Sequence, residues 1–208
     1  MLSFPPKSKQ RRKHSPTYIL SMHYQFIHVG YVLTYYAQTK KLNRSIFLSE
    51  SRAIARYVLR KYKPELLGLG EDGSLEKSAM VDVWLDVEAH QHEAAVKPIV
   101  LHCIVNKYVG QDRDQGLVDE SIQKLEKLFE VYEARLSGSR YLAGDRISLA
   151  DLSHFSFMRY FMATEYAGVI DAYPHVKAWW EALLARPSVK KVMAGMPPDF
   201  GLGRGNRP

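Results

Sequence analysis

The feature of this chain that most constrains its fold is a helical spacing of apolar residues that starts near Leu75 and continues through most of the remaining sequence. The stretch from Leu75 to about Val109 is predicted to be one long helix, or a kinked pair bent at Pro98, because proline removes a helical hydrogen bond. The pattern returns from Leu117 to Leu136 as an amphipathic helix, which Ser137-Gly138 ends. With 46% hydrophobic residues among 208, the chain can bury a sizeable helical core.

The clearest local signal is the tetrapeptide Ser148-Leu149-Ala150-Asp151. A serine at a helix N-cap can accept from the backbone N–H of Asp151, while the Asp151 carboxylate accepts from the N–H of Ser148. Ile147 and Leu152 stand in the positions of a hydrophobic staple. We therefore predict an N-capping box that starts a helix, with a structural rather than catalytic role for Asp151.

A second motif is Glu50-Ser51, followed by good helix formers up to Val58. A helix that opens at Ser51 offers unpaired N–H groups and a partial positive charge, to which a ligand carboxylate can bind. Glu50 could hold an ammonium group beside it, so the pair suits the α-amino-acid end of a γ-glutamyl group. The alternative is that Ser49 or Ser51 only caps the helix and Glu50 is a solvated acid.

Longer blocks that follow this motif resemble plant phi-class glutathione transferases, in family order and at family spacing. They are ESRAIARYVLRKYKPELLG, VYEARLSGSRYLAGDRISLADLSHF, YPHVKAWWEALLARPSVKKV and MPPDFGLG. The resemblance extends from Glu50 through Gly203, about three quarters of the chain, and long ordered blocks are far more specific than any short motif.

The resemblance implies a mainly α fold: an all-helical glutathione-transferase C-terminal domain preceded by a remnant of a thioredoxin-like α/β domain. Residues 50–73 are then the last helix of that domain plus a linker, residues 74–195 the helical domain and residues 196–208 a tail. Residues 1–49 form an atypical basic segment that we expect to be poorly ordered.

The activity that the resemblance implies is attack of the glutathione thiolate on small hydrophobic electrophiles, a detoxification reaction. Glutathione is then a co-substrate, and no other cofactor is expected. Glu50 and Ser51 match glutathione-binding positions, and Leu101 and Val105 resemble wall residues of the electrophile pocket, with plain core packing as the alternative. Homodimers, or heterodimers with a full-length relative, are the implied assemblies.

The sequence departs from the family before Glu50, where a serine near the first strand should activate the thiol. The serines available there are Ser3, Ser8, Ser15 and Ser21, and none of them has the family's surroundings. We assign no catalytic residue and expect the chain to be inactive or impaired. The alternative function is a non-catalytic domain that binds apolar ligands or pairs with a relative.

Charge divides the chain at nearly the same place. Residues 1–63 carry 13 Lys and Arg against one acid, Glu50, whereas residues 64–208 carry 16 against 21. The basic run from Lys7 to Lys13 could be a nuclear address, a phosphate-contacting arm or a disordered tail. No nucleic-acid partner is predicted, since no aromatic or Gly-rich module follows it.

Residues 17–41 are rich in Tyr, Ile and Val and favour one or two strands. A membrane anchor is the alternative, but His23, Gln25 and His28 interrupt the apolar run, so no membrane association is predicted. An alternative transcript start, or translated non-coding sequence, is a further hypothesis for the abrupt change at Glu50.

The single cysteine, Cys103, excludes an internal disulfide. Its apolar neighbours predict a buried, inert thiol in a reducing compartment, so the expected location is the cytoplasm. His90, His92 and His102 lack the spacing of a zinc-protease helix, and no metal site is predicted. Nucleotide-binding and serine-hydrolase motifs are also absent from the sequence.

Overall fold

The computed structural model describes residues 22–27, 30–39, 44–48 and 50–202. The chain divides into two compact units, Met1–Ala55 and Arg56–Pro208.

The first unit contains a three-stranded antiparallel sheet in the order β1-β2-β3, formed by β1 (Met22–Ile27), β2 (Gly30–Thr39) and β3 (Arg44–Leu48). Ile27 is paired with Gly30, and Thr39 with Arg44. Strands β1 and β2 fall in the segment whose composition favours strands. The rest of residues 1–49, including the basic run, lies outside the described residues, and both its poor order and the thioredoxin-like remnant stay predictions.

Helix α1 (Ser51–Tyr62) is followed by a 3-10 turn (Pro64–Leu67) and the linker that the sequence predicts. Gly68 closes the turn with a φ of 68°, and a Cβ there would lie 2.6 Å from the backbone carbon of Lys77. Only glycine fits both the left-handed conformation and this close approach. The linker therefore packs tightly against the start of the next helix.

The long helical stretch is continuous and is built of five segments. These are α2 (Leu75–Val87), a π-helical segment (Glu88–His92), α3 (Glu93–Val100), a second π-helical segment (Leu101–Val105) and α4 (Asn106–Val109). The prediction of a helix from Leu75 to Val109 is confirmed, and Pro98 lies inside α3. The two π-helical segments were not predicted, because each shifts the apolar spacing by only one residue.

The remaining helices are α5 (Gln115–Ser137), α6 (Leu149–Phe161), α7 (Pro174–Leu184) and α8 (Pro187–Met193), with a 3-10 segment (Ala167–Ala172) before α7. Helix α3 packs against α5 and α6, and α5 packs against α7. The largest fully buried apolar side chains are Leu85, Ile99, Leu125, Phe129, Leu142, Met158, Phe161 and Leu183. The predicted mainly α fold of the C-terminal domain is confirmed.

Among the described residues, none of the helices combines the length and the apolar character needed to cross a membrane.

Candidate functional site

Glu50 precedes α1 with an exposed side chain and a strained backbone. Its φ is 70°, in the left-handed region that non-glycine residues rarely adopt. Its carbonyl accepts the first helical hydrogen bond, from Ile54 N at 3.0 Å. Such a backbone costs on the order of 1 kcal/mol, and residues held this way cluster at binding sites. The strained residue is therefore one that the sequence predicts to bind a ligand.

Ser51 is exposed and is the first residue of α1. The first turn of this helix contains no acidic residue, so no side chain within it neutralises the positive end of the helix dipole. A ligand carboxylate docked there could bind the serine hydroxyl and the N–H groups that a helix start leaves without helical partners. Glu50 and Ser51 thus place a negative group directly beside an anion-attracting helix end.

Leu101 and Val105 lie in the second unit, at the two ends of the second π-helical segment. Leu101 is partly exposed, and Val105 is 8% exposed. Glu50 and Ser51 belong to the first unit, whereas Leu101 and Val105 belong to the second. The binding roles of all four residues stay predictions.

Cys103 lies in the same π-helical segment and is half-buried rather than buried. Burial raises the pKa of its thiol to about 11, the charge of Glu165 adds to this, and Arg113 opposes it. A thiol with a raised pKa carries little thiolate at neutral pH. The expectation of an unreactive cysteine therefore has a physical basis, although the degree of burial was overestimated.

The capping box at the start of α6 is present in the structure. Asp151 is completely buried, and its Oδ2 accepts from the N–H and hydroxyl of Ser148 at 2.8 and 2.9 Å. Its Oδ1 accepts from Leu142 N at 2.9 Å and from Trp179 Nε1 at 3.0 Å. Four donors occupy this carboxylate and no solvent reaches it, so its role is structural.

A buried polar cluster, which the sequence analysis missed, lies between α5, α6 and the first π-helical segment. The Tyr132 hydroxyl is 2.7 Å from His154 Nε2, and His154 Nδ1 donates to the Ala150 carbonyl at 2.7 Å. The rings of His92 and His154 have centroids 4.6 Å apart, and Glu88 is buried nearby on the same segment as His92. Only the presence of polar residues at core positions of the helical pattern could have revealed it.

The histidines considered as metal ligands are separated by the fold. His90 is exposed, His92 packs beside His154, and His102 bonds to the loop after α4. Across the part of the chain that the structure describes, no group of three or more His, Cys, Asp or Glu could hold a metal ion.

A groove of about 640 Å³ lies between the linker and the loop before α6. Its charged lining comprises four acids and two bases: Glu65, Glu71, Asp72, Asp145, Lys77 and Arg146. The excess of negative charge disfavours an anionic ligand such as a peptide with two carboxylates. The groove is therefore a poor candidate for binding glutathione.

Comparison with known proteins gives the family. A sequence profile described as "Glutathione S-transferase, C-terminal domain" matches residues 91–187. The probable glutathione S-transferase GSTF1 of rice (Oryza sativa subsp. japonica) is 57% identical over 155 residues, which cover 74% of this chain and 71% of the rice protein. The chain belongs to the glutathione S-transferase family. Its relatives place this transferase in the plant phi class.

Solved transferase structures share the fold. Glutathione S-transferase I bound with lactoylglutathione aligns with a TM-score of 0.70 at 52% identity, covering 77% of this transferase and 73% of that chain. The maize enzyme in complex with an atrazine glutathione conjugate aligns with a TM-score of 0.69 at 49% identity, covering 83% and 75%. Both similar proteins were solved with glutathione derivatives bound.

Proposed function

We propose that this transferase binds glutathione through Glu50 and Ser51 and conjugates its thiol to small hydrophobic electrophiles. The observation that carries the proposal is the strained, exposed Glu50 at the start of α1, a helix whose first turn holds no acid. Similar proteins that bind lactoylglutathione and an atrazine conjugate support it. We also propose that the reaction serves detoxification and takes place in the cytoplasm, and only membership of the family supports these two points.

The proposed clamp recognises both charges of the γ-glutamyl end. The Ser51 hydroxyl and the first N–H groups of α1 bind the α-carboxylate, because helix N-termini favour anions. The Glu50 carboxylate binds the α-ammonium group. Charge-assisted hydrogen bonds of this kind are about twice as strong as neutral ones. The clamp orients glutathione, and it does not activate the thiol.

The electrophile is proposed to lie against Leu101 and Val105. Both side chains are apolar and belong to a π-helical segment, a distortion that is frequent at functional sites. An apolar wall binds by shape and hydrophobic contact and fixes no single substrate.

Thiol activation requires a donor that stabilises the thiolate at neutral pH. The family uses a serine that this chain does not reproduce, and the segment concerned lies largely outside the described residues. Impaired catalysis by this chain therefore stays a prediction, and activity has to be measured separately from glutathione binding.

Dimerisation, with a second copy or with a full-length relative, is the proposed assembly. Helix α2 exposes Leu75, Met80 and Val83, of which Leu75 is 80% exposed. Apolar side chains grouped on one helix are typical of a protein interface. This observation also favours the second candidate function, a non-catalytic dimer partner.

The function is tested by isothermal titration of glutathione and by conjugation of chlorodinitrobenzene. Glu50→Gln keeps the shape of the side chain and removes its charge, and Ser51→Ala removes the hydroxyl. We expect each to weaken glutathione binding by about tenfold or more, the loss of one charge-assisted hydrogen bond. Glu71→Gln, an exposed acid in the linker, is the matched control and should bind normally.

Binding and turnover together separate the candidates. Binding with turnover supports a working transferase whose N-terminal segment supplies the thiol activator. Binding without turnover indicates a non-catalytic glutathione-binding domain. Unchanged affinity in both Glu50→Gln and Ser51→Ala would disprove the clamp.

A further inference from the structure

The loop between α4 and α5, residues 110–114, is held by two side chains of the preceding helical stretch. Asn106 is 8% exposed, and its Nδ2 donates to the Asp112 carbonyl at 3.1 Å. The same amide nitrogen lies 3.2 Å from His102 Nδ1. The main-chain N–H of Asp114 donates to this His102 nitrogen at 3.0 Å. His102 and Asn106 thus fix both the middle and the end of the loop.

The loop in turn connects the second π-helical segment to the residues after α6. Arg113 Nη1 donates to Glu165, and its Nη2 donates to the Tyr166 hydroxyl. Gln115 Nε2, in the first residue of α5, donates to the same hydroxyl at 2.9 Å. Three chain segments therefore meet in one hydrogen-bonded cluster, and His102 lies within the segment that carries Leu101 and Val105.

His102 Nδ1 is the acceptor of both hydrogen bonds. A main-chain N–H can only donate, so Nδ1 must present a lone pair to Asp114. The Asn106 nitrogen is also a donor, because its other partner is a carbonyl. His102 therefore holds the loop as an acceptor, a role that an amide oxygen can also fill and that an aliphatic side chain cannot.

Asp114 Oδ1 is committed to capping α5, where it accepts from Leu117 N at 3.0 Å. The last residue of the loop therefore has its N–H bonded to His102 and its carboxylate bonded to the first turn of α5.

We propose that His102 and Asn106 are positioning residues that hold the 110–114 loop and, through it, the wall formed by Leu101 and Val105. The inference rests on the proposed function for the role of that wall.

The test compares two substitutions at one position. In His102→Asn, the amide Oδ1 can take the place of the ring Nδ1 as acceptor. In His102→Leu, the side chain offers no acceptor. His90→Asn, at an exposed histidine of the same helical stretch, is the control. Hydrogen exchange of the 110–117 amides is measured on the full chain at neutral pH.

We expect the protection of the Asp114 amide to fall about tenfold in His102→Leu, the loss of one hydrogen bond of ordinary strength. His102→Asn should keep most of the protection, and His90→Asn should behave like the unmodified chain. Protection that is unchanged in His102→Leu, or lost equally in His102→Asn and His102→Leu, overturns the proposal.

A kinetic measurement tests the link to the wall. His102→Leu should raise the KM for the electrophile severalfold and leave the KM for glutathione unchanged, with rescue in His102→Asn. Equal changes in both KM values would show a general structural effect and overturn the positioning role. Hydrogen exchange can be measured on a chain that has no activity. An inactive chain would therefore contradict the proposed catalysis, while the exchange result would still decide whether His102 holds the loop.

Discussion

Trp179 Nε1 donates a hydrogen bond to Asp151 Oδ1 at 3.0 Å, and both side chains are buried. Leu142 N donates to the same oxygen at 2.9 Å. The start of α6 is thereby bonded to α7 and to the loop that follows α5. Asp151 caps its own helix and also joins three segments of the helical domain.

Replacement of Asp151 by asparagine should destabilise the domain strongly. Each carboxylate oxygen accepts from two donors. In asparagine one oxygen is replaced by an NH₂ group, which would face two of these donors and could accept from neither. Breaking a fully buried charged network by removing one partner costs about 3 kcal/mol or more. Urea denaturation followed by circular dichroism measures the difference in the free energy of unfolding.

Two further variants make this test specific. Asp145→Asn, at an exposed acid of the loop before α6, should change the free energy of unfolding by less than about 0.5 kcal/mol. Trp179→Phe removes one of the four donors, so we expect a loss of about 1 kcal/mol. Equal stabilities of Asp151→Asn and Asp145→Asn would refute the structural role.

The capping box could be predicted from four residues because both of its partners are close in the chain. Leu142 and Trp179 could not be predicted as partners of Asp151, since tertiary packing brings them together and neither carries a local pattern. The long helix was predicted from its apolar spacing. Its π-helical segments were not. The hydrogen bonds that join His102 and Asn106 to the loop after α4 were missed with them.

Glu50 and Ser51 were predicted to bind glutathione because their motif resembles that of a known family and because a helix start attracts anions. The positive φ of Glu50 was not predicted, because backbone strain at a non-glycine residue leaves no compositional signal. The cluster of Tyr132 and His154 was missed for a different reason. Tyr132 belongs to the apolar stripe of the helix predicted from Leu117 to Leu136, and only tertiary packing shows that its hydroxyl meets His154 in the core.

Tyr132→Phe should alter the response of the protein to alkaline pH. Burial, and then the negative charges of Glu88 and Asp151, raise the pKa of the Tyr132 hydroxyl well above its ordinary value of 10.0. The unfolded chain releases this proton above about pH 10 while the folded chain keeps it, so stability falls as the pH rises. The free energy of unfolding of the variant should therefore fall less steeply with pH. The slopes of the two proteins should differ by up to about 1.4 kcal/mol per pH unit.

At neutral pH the same variant should lose about 1 kcal/mol, because the hydrogen bond to His154 is gone. Thermal or urea unfolding between neutral pH and about pH 11 measures both effects. Tyr108→Phe, at a partly exposed tyrosine, is the control. Parallel stability profiles for the unmodified chain and Tyr132→Phe would contradict the prediction.

Glu133→Gln should weaken the start of α7, which receives no cap from its own N-cap residue, Tyr173. The Glu133 carboxylate accepts from the N–H of Val176 at 3.0 Å and from the N–H and ring Nδ1 of His175, at 2.9 and 2.6 Å. Burial opposes the ionised form, but these donors together outweigh it and lower the pKa of Glu133. The variant should lose about 1 kcal/mol at neutral pH.

The pH dependence gives a second check on Glu133. A lowered pKa contributes stability above the ordinary value of 4.5, and this contribution is lost as the pH falls through the folded-state pKa. The stability difference between the unmodified chain and Glu133→Gln should therefore shrink in acid. Glu120→Gln, in an exposed pair with Lys124 on the same helix, should have little effect at either pH. A difference that grows in acid would rule out this capping role.

Glu50→Gly should separate stability from binding. Glycine adopts a φ of 70° without the steric penalty that Glu50 has, although it also raises the entropy of the unfolded chain. We expect the free energy of unfolding to stay unchanged or to rise by up to about 1 kcal/mol. Glutathione binding should weaken by about tenfold or more, because the carboxylate that holds the ammonium group is absent.

Glu50→Gly should be compared with Glu50→Gln, which also removes the charge but keeps the strained backbone. If strain is retained at this position for the sake of the carboxylate, glycine should give the more stable protein of the two, and both should bind glutathione about tenfold or more weakly than the unmodified chain. Urea denaturation and isothermal titration on the two purified variants measure these quantities. A Glu50→Gly protein that binds glutathione normally would show that the backbone N–H groups of α1, rather than Glu50, supply the recognition.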